Sequence, residues 1–293
     1  MVLDTDIGGD IDDTWALAML LRSPELDLQL VVSATADTVY RAKIIAKLLQ
    51  VAGRTDIPVG VGLLQTSRIC REPQEAWVKD YDLQAYPGHV HEDGVEALID
   101  RIMRSAEPIT LISIGPAPNI ALALQREPRI VSRCRFVGMH GSIRRSHDGK
   151  PGTIAEYNVK HDIPACQAVF AAPWREMVIT PLDTCGMVRL TGENYRAVYD
   201  CNDALTRAVI DNYRIWLRGK PDEGASSILF DTVAIHLAYS TDYLAIERMG
   251  IRVDDEGFTV PDPDARPMDV AIDWKDLDGY EDALVRRLTS STR

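Results

Sequence analysis

Short, continuously apolar segments alternate with segments of helical periodicity along the first two thirds of this chain. Residues 28–34 and 109–114 are the clearest apolar runs, and a helical pattern follows each of them. Strands that are apolar throughout are typical of a parallel sheet whose two faces are both covered by helices. The alternation therefore predicts an α/β fold with a mostly parallel central sheet flanked by helices.

The predicted elements form one domain over residues 1–293, because no Ser/Gly/Pro-rich linker separates a second unit. We predict strands at residues 1–4, 28–34, 57–61, 109–114, 135–139 and 177–180. We predict helices at 12–21, 39–52, 93–105, from Pro116 to about Gln125, and at 164–172. From about Thr191 the chain is predicted to be mainly helical, at 195–216, 227–239 and 280–288, with strand-like pieces at 246–253 and 268–272.

The balance of charge argues against two classes of partner. The chain carries 32 basic and 44 acidic residues, a net charge of −12, whereas nucleic-acid-binding proteins usually present a basic face. A polybasic membrane anchor is equally disfavoured, and no apolar run approaches the roughly 18–20 residues that span a bilayer. We therefore expect no nucleic-acid partner and no membrane association.

Cysteine usage and the start of the chain predict a cytoplasmic protein. No secretory signal peptide is visible, since the chain opens into a strand-like segment with two acids. The cysteines are widely spaced and lack a Cys-x-x-Cys pair, which fits reduced thiols better than a disulfide framework or a zinc site; they are Cys70, Cys134, Cys166, Cys185 and Cys201.

Five carboxylates fall within ten residues directly after the first predicted strand: Asp4, Asp6, Asp10, Asp12 and Asp13. Carboxylates this dense repel one another, so a fold that keeps them together needs a counter-charge. Capping of the following helix explains one or two of them, Asp10 or Asp12. It does not explain acids within a buried strand, where an unpartnered carboxylate is too costly. The pattern favours a hard cation with oxygen ligands.

Polar segments follow several of the predicted strands. The acidic run follows the first strand, Asp37 the second, Gly115 and Pro116 the middle one, and Met139 ends the next. In parallel sheets ligands bind beyond the carboxyl ends of the strands. We therefore predict one site at the C-terminal edge of the sheet, with the polar, turn-rich residues 141–153 as a flap beside it.

The run DTDIGGDIDD resembles the amino-terminal fingerprint of the nucleoside hydrolases, the inosine–uridine-preferring nucleoside N-ribohydrolase family. The usual form is Asp-Thr-Asp-Pro-Gly-x-Asp-Asp, so this chain has a loop that is two residues longer. Five later segments are also similar to family motifs, in the same order: AGRTDIPVGVG at 52–62, SIGPAPNIALAL at 113–124, AEYN at 155–158, TPLD at 180–183 and FDTVAIHLA at 230–238.

The resemblance implies Ca²⁺-dependent hydrolysis of the N-glycosidic bond of ribonucleosides to ribose and free base, as in purine and pyrimidine salvage. By matching positions, the Ca²⁺ ligands would be the carboxylates of Asp6, Asp13 and Asp231 and the backbone carbonyl of Ile114. Asp6 would also be the catalytic base that activates a metal-bound water. An oxygen-only ligand set suits calcium on general grounds.

The resemblance also implies residues that bind the substrate. Asp12, Glu156 and Asn158 match positions that hold the ribose hydroxyls, and Met139 matches a position that lines the sugar. Asp37 stands where the family commonly has Asn, and we predict that it contacts the substrate. Taken singly, Glu156 and Asn158 would be ordinary polar loop residues, and Asp231 would cap the helix that follows it.

Phe230 is the main departure from the family pattern. Many members place a His there, immediately before the metal-binding Asp, to protonate the leaving base, and Phe cannot transfer a proton. Other candidate donors are His89, His91, His140, Tyr157 and Tyr239, of which His89 is either a substrate contact or a solvated surface residue. Alternatively, Trp77 stacks on the base with Phe230 as its partner, or Trp77 is a packing residue on a short helix.

Three other functions also fit the residues of this sequence. The first is hydrolysis of a different N-ribosyl substrate, and the second is a non-catalytic protein that binds a pentose or nucleoside. The third is Mg²⁺-dependent phosphoryl transfer, with Arg144, Arg145 and Lys150 as a phosphate clamp, but no phosphate-cradling glycine motif accompanies them. From the resemblance we expect a homodimer or a homotetramer with a small-molecule, ribose-containing substrate.

Overall fold

Ten strands form one sheet in the computed structural model, which describes residues 1–65 and 72–290. In chain order they are β1 (Val2–Thr5), β2 (Leu30–Ser33), β3 (Val59–Gly60), β4 (Val90–His91), β5 (Ile109–Ser113), β6 (Cys134–Met139), β7 (Glu176–Thr180), β8 (Leu244–Val253), β9 (Thr259–Pro261) and β10 (Pro267–Trp274). Across the sheet the order is β4-β3-β2-β1-β5-β6-β7-β10-β8-β9. The strands from β4 to β10 in this order pair in parallel, and β8 and β9 are antiparallel additions.

Twelve α-helices in the described residues cover the sheet. They are α1 (Asp12–Leu21), α2 (Thr38–Val51), α3 (Glu75–Val78), α4 (Gly94–Arg104), α5 (Pro118–Arg126), α6 (Tyr157–His161), α7 (Ile163–Ala171), α8 (Leu182–Cys185), α9 (Gly192–Tyr199), α10 (Ala204–Trp216), α11 (Thr232–Leu237) and α12 (Leu277–Thr289). None of the helices in this part of the chain has the length and the apolar character needed to cross a bilayer.

Two apolar cores lie on opposite faces of the sheet. Successive residues of β1 point into different cores, Leu3 into the one with α1, α2, α10 and α11, and Val2 into the one with α4, α5 and α7. This burial on both faces explains why the strands read as continuous apolar runs. The prediction of a single α/β domain with a mostly parallel sheet flanked by helices is confirmed.

The order of the strands reverses between β1 and β5. Strands β2, β3 and β4 follow β1 on one side, whereas β5, β6 and β7 continue on the other side. The loops that leave the carboxyl ends of β1 and β5 therefore diverge, and a crevice opens between them. The acidic run and the segment after Ser113 border this crevice.

Two predicted helices are shorter in the structure. Residues 195–216 form α9 and α10, because the side chain of Asp203 accepts hydrogen bonds from Leu205 N and Thr206 N and begins a new helix. Residues 227–231 are not helical, because Leu229 N donates to the carbonyl of Val188 at 2.9 Å and holds this segment extended. Helix α11 therefore begins only at Thr232.

The cysteine thiols of the described residues are free, as predicted for Cys134, Cys166, Cys185 and Cys201. Cys70 lies outside the described residues.

Asn119 at the start of α5 joins the carboxyl ends of three neighbouring strands. Its buried amide donates to Asp4 Oδ2 at 2.8 Å and to the carbonyl of Ser33 at 3.0 Å, and its oxygen accepts from Leu63 N at 2.8 Å. These bonds connect β1, β2 and the loop after β3. Asn119 therefore holds together one wall of the crevice.

We expect the substitution Asn119→Ala to lower the free energy of unfolding by about 2–4 kcal/mol, because several buried polar groups lose their partner at once. Urea denaturation followed by far-UV circular dichroism measures this change. The matched control is Asn194→Ala, which removes a bond to Asp282 at the surface and should cost less than about 0.5 kcal/mol. Equal losses in the two variants would contradict the role assigned to Asn119.

Candidate active site

Three buried carboxylates meet in the crevice. Asp12 and Asp13 begin α1, and Asp231 directly precedes α11. One ligand oxygen from each lies within 4.8 Å of the others, and the three residues are at most 4% exposed. Within residues 1–65 and 72–290 no other group of three His, Cys, Asp or Glu side chains comes together in this way.

Burial and mutual repulsion make the ionised form of these carboxyls unfavourable. Burial raises the pKa of Asp12, Asp13 and Asp231 well above the ordinary value, and the charges of the neighbouring carboxylates raise it further. The charge of Asp12 is the neighbouring influence that most raises the pKa of Asp231, so a proton shared within the group would relieve their repulsion when no cation is present. A cation would replace that proton.

The donor chemistry of the group fits a hard divalent cation. All three donors are carboxylate oxygens, and neither His nor Cys belongs to the group, whereas protein zinc sites usually include nitrogen or sulfur ligands. Ca²⁺ and Mg²⁺ prefer oxygen donors. The buried aspartates can therefore bind a metal ion of this class. Of the predicted metal ligands, Asp13 and Asp231 belong to this group and Asp6 does not, whereas Asp12, which was predicted to bind the sugar, does.

Asp6 lies next to the group, on the side of the crevice formed by β5. A Cβ atom at Gly115 would come within 2.8 Å of Asp6 Oδ1, so only glycine allows this close approach. The other carboxylate oxygen is 3.9 Å from Arg41 Nη2. Burial raises the pKa of Asp6, and the guanidinium of Arg41 opposes this rise.

Arg41 is a site residue that the sequence analysis did not identify. Its side chain is buried and donates to the carbonyls of Ile7 at 2.9 Å and Thr35 at 3.0 Å. Thr35 and Ala36 both have positive φ angles, an uncommon backbone that this bond helps to hold. Arg41 lies at helical spacing from the buried apolar residues Ile44, Ile45 and Leu48 of α2. An arginine on the apolar face of a helix is the signal that could have revealed it.

The predicted sugar-binding residues lie on the other wall of the crevice. The carboxylate of Glu156 accepts from the backbone N–H groups of Gly141, Asn158 and Val159 at 2.7–3.3 Å. Burial raises the pKa of Glu156 to about 7, although these three donors favour its ionised form.

Asn158 connects this wall to the carboxyl end of β5. Its Nδ2 donates to the carbonyl of Met139 at 3.0 Å and to the carbonyl of Ile114 at 3.4 Å. The structure thus places Ile114, Met139, Glu156 and Asn158 together at the carboxyl ends of β5 and β6.

Two other predicted substrate residues lie farther out. Asp37 is exposed and caps α2, where its carboxylate accepts from Tyr40 N at 2.9 Å. Trp77 packs on α2, with Lys47 Nζ 4.4 Å from the centre of its ring. This placement favours the packing alternative for Trp77 over base stacking.

The structure does not bring His89 to the site, so its prediction as a substrate contact is corrected. His89 precedes β4 and its carbonyl accepts from Val59 N at the amino end of β3. The acidic residues lie at the carboxyl ends of the strands. Its ring instead packs on His91, with the ring centres 4.2 Å apart. Together they line a separate cavity of about 530 Å³.

Two further proton-donor candidates are occupied elsewhere. His140 is fully buried against Phe136 and Phe170, and burial lowers its pKa to about 4. The hydroxyl of Tyr239 is 3.0 Å from His236 Nδ1, and burial raises its pKa to about 12.

The half-buried ring of Phe230 has a partner in the loop of residues 141–153. Its centre is 5.6 Å from that of His147, with the rings at 75°. Stacking of Phe230 with Trp77 has no counterpart in the ring contacts of the described residues. His147 was also missed by the sequence analysis, because its contact joins residues 83 positions apart.

The cations of this loop are paired with carboxylates. Arg144 forms a two-pronged pair with Glu247 and Arg145 another with Asp273, and Lys150 Nζ is 3.6 Å from Asp148. At the base of the loop, the carboxylate of Asp183 accepts from Ile143 N, Arg144 N and Arg145 N. These pairings argue against a phosphate clamp and show that the loop is anchored to the body of the protein.

Comparison with known proteins agrees with this geometry. The family model described as inosine-uridine preferring nucleoside hydrolase matches residues 1–282. A protein of Klebsiella pneumoniae named non-specific ribonucleoside hydrolase RihC is 32% identical over 225 residues, which are 73% of this chain and 72% of that protein. The buried aspartates are thus found in a family of metal-dependent enzymes.

Two solved structures share the fold. The structure titled plant nucleoside hydrolase PpNRh1 has a TM-score of 0.82 at 20% identity and covers 99% of this chain and 98% of its own. The purine-preferring ribonucleoside hydrolase from Gardnerella vaginalis has a TM-score of 0.78 at 21% identity, with coverages of 98% and 97%. At these identities the likeness is one of fold.

The raised pKa values predict how stability depends on pH in the presence of a chelator. Because the pKa values of the three carboxyls are raised above the ordinary value of about 4, the folded state binds more protons than the unfolded chain above about pH 4 and loses stability as the pH rises. We expect the Tm of chelated protein to fall between pH 5 and pH 8 and added Ca²⁺ to restore it. Differential scanning calorimetry with chelator and with Ca²⁺ measures both effects.

The variant Asp231→Asn removes one repelling charge from this group. Its chelated form should therefore be more stable than chelated wild type at pH 8, and its Tm should respond little to Ca²⁺. The control Asp242→Asn, at an exposed position, should behave like wild type. A chelated wild type whose Tm rises with pH would contradict the assignment of the three carboxyls.

Proposed function

Since this chain belongs to the inosine-uridine preferring nucleoside hydrolase family and is a hydrolase of N-glycosyl bonds, we propose that it cleaves ribonucleosides to ribose and free base with a bound Ca²⁺. The observation that carries the proposal is the buried group of Asp12, Asp13 and Asp231 at the strand-order reversal. A fold that only needed stability would not retain three repelling carboxylates there.

We propose that Asp12, Asp13 and Asp231 hold the cation, with the carbonyl of Ile114 beside them. Ca²⁺ fits the all-oxygen donor set, and when bound it supplies positive charge that lowers the pKa of nearby water and attracts sugar hydroxyls. Because Asp12 was first assigned to the sugar, the proposal now gives it both roles, as a ligand and as a neighbour of the ribose.

Asp6 is the proposed base. A base must be able to accept a proton. Burial raises the pKa of Asp6, and the guanidinium of Arg41, 3.9 Å away, limits that rise and so favours the ionised form. The close approach of Gly115 holds Asp6 against the end of β5. Asp6 takes a proton from the attacking water as the bond between the ribose and the base breaks.

Glu156, Asn158 and Met139 are proposed to bind the ribose. Three backbone N–H groups orient the Glu156 carboxylate, which leaves acceptor capacity for sugar hydroxyls. The bond to the Met139 carbonyl fixes Asn158 beside it. Positioning of the sugar by such preorganised groups stabilises the positively charged, oxocarbenium-like transition state more than the bound substrate.

The cellular location and the oligomeric state of the enzyme are also part of the proposal. We propose a cytoplasmic enzyme of purine and pyrimidine salvage, because its described cysteines are free thiols. A homodimer or homotetramer is part of the proposal on the grounds of the family resemblance alone.

The function is tested by measuring ribose release from a panel of purine and pyrimidine ribonucleosides, with Ca²⁺ and with chelator. We expect release from at least one ribonucleoside that the chelator abolishes. The variant Asp6→Asn should lower kcat by about 10²–10⁴-fold, as expected when a general base is lost.

Asp10→Asn is the matched control from the same loop. Asp10 Oδ1 accepts from Ile11 N, and an asparagine can keep that bond, so this variant should lose far less of the rate than Asp6→Asn. Tight ribose binding without turnover on the whole panel would contradict the enzymatic proposal and favour a binding protein. Release of phosphate from a nucleotide would favour phosphoryl transfer.

A further inference from the structure

The imidazole of His147 lies beside Phe230, at the rim of the crevice that holds the buried carboxylates. It contacts the ring of Phe230, which directly precedes the buried carboxylate of Asp231. Phe230 itself has no proton to give. The side chain of His147 is exposed at the rim of the crevice, so it can meet both a substrate and the solvent that would reprotonate it.

The other histidines of the described residues have ring partners other than Phe230. His89 and His91 pair at the opposite edge of the sheet, and His140 is sealed in the core with α4, α5 and α7. His161 packs on Tyr157, with the ring centres 4.9 Å apart, and His236 is buried on α11 against Tyr243 and Tyr280. Histidine is the side chain that most readily exchanges protons near neutral pH.

The backbone around His147 is held in place. Asp148 N donates to the carbonyl of Gly186 at 3.0 Å, and Lys150 N donates to the carbonyl of His147 at 3.3 Å. Asp148 and Gly149 both have positive φ angles, which form a tight turn directly after His147. Together with the Asp183 anchor, these contacts present the imidazole at a defined place. A merely solvated loop tip would not need them.

We propose that His147 is the catalytic acid that protonates the leaving base, a role that rests on the proposed hydrolase function. The bond between C1′ of the ribose and the base nitrogen breaks, and its electron pair stays with the base. The proton of the imidazolium goes to the base, and the attacking water adds its oxygen to C1′ and gives its proton to Asp6. Ribose and neutral base leave, and solvent returns the proton to His147 and removes the one on Asp6.

The test compares two ribosides that differ in their leaving group. Hypoxanthine leaves inosine readily only when it is protonated, whereas nitrophenolate leaves 4-nitrophenyl riboside as a stable anion. In His147→Gln we expect kcat on inosine to fall by about 10²-fold or more, and kcat on the aryl riboside to remain close to that of wild type. Because residue 147 is exposed, an unchanged Tm serves to show that the variant folds.

Two further variants separate proton donation from ring contact. His147→Phe keeps an aromatic ring against Phe230 but carries no proton, so it should lose inosine hydrolysis as His147→Gln does. His91→Gln, at the opposite edge, is the matched histidine control and should leave both rates unchanged.

If His147→Phe or His147→Gln still hydrolyses inosine at the wild-type rate, the role of His147 is overturned, but the proposed hydrolase function is not. An equal loss on the two substrates would also overturn the role of His147, since it would show positioning rather than protonation. A wild type that releases ribose from neither substrate would overturn the proposed function and this role with it.

Discussion

Repulsion among Asp12, Asp13 and Asp231 is the constraint on which the site depends. Three carboxylates at most 4% exposed, with oxygens within 4.8 Å, cannot all be ionised without a counter-charge. The fold either keeps protons on them or binds a cation. The surrounding contacts that hold the three carboxylates together therefore favour the binding of a cation. The bound cation can then serve substrate binding and catalysis.

The topology of the sheet supplies the place for these charges. Because the strand order reverses between β1 and β5, their loops part and the carboxylates sit between two rigid walls. Asn119 and Arg41 hold one wall through bonds to backbone carbonyls, and Glu156 and Asn158 hold the other. Each wall is thus held by buried polar side chains that bond main-chain groups at the ends of the strands.

Sequence patterns predicted the sheet well because continuous apolar strands reveal burial on both faces. The motifs also singled out Asp13 and Asp231, which the structure places in the buried group. They failed where distant residues decide the outcome: Arg41 approaches Asp6 from helix α2, and the ring of His147 meets Phe230 only after the chain has folded. His89 was misplaced because a turn-rich loop does not reveal which end of a strand it borders. The break before Asp203 was missed because its cap lies within a helical pattern.

Cation binding by the three buried carboxylates is tested most directly by a calorimetric titration of chelator-treated protein with Ca²⁺ at pH 7, repeated in buffers of different ionisation enthalpy. One Ca²⁺ should bind per chain with release of protons, because the cation replaces protons shared by the buried carboxyls. The variant Asp231→Asn should abolish or strongly weaken both. Absence of Ca²⁺ binding, or binding of equal strength in the variant, would show that Asp12, Asp13 and Asp231 do not form a Ca²⁺ site.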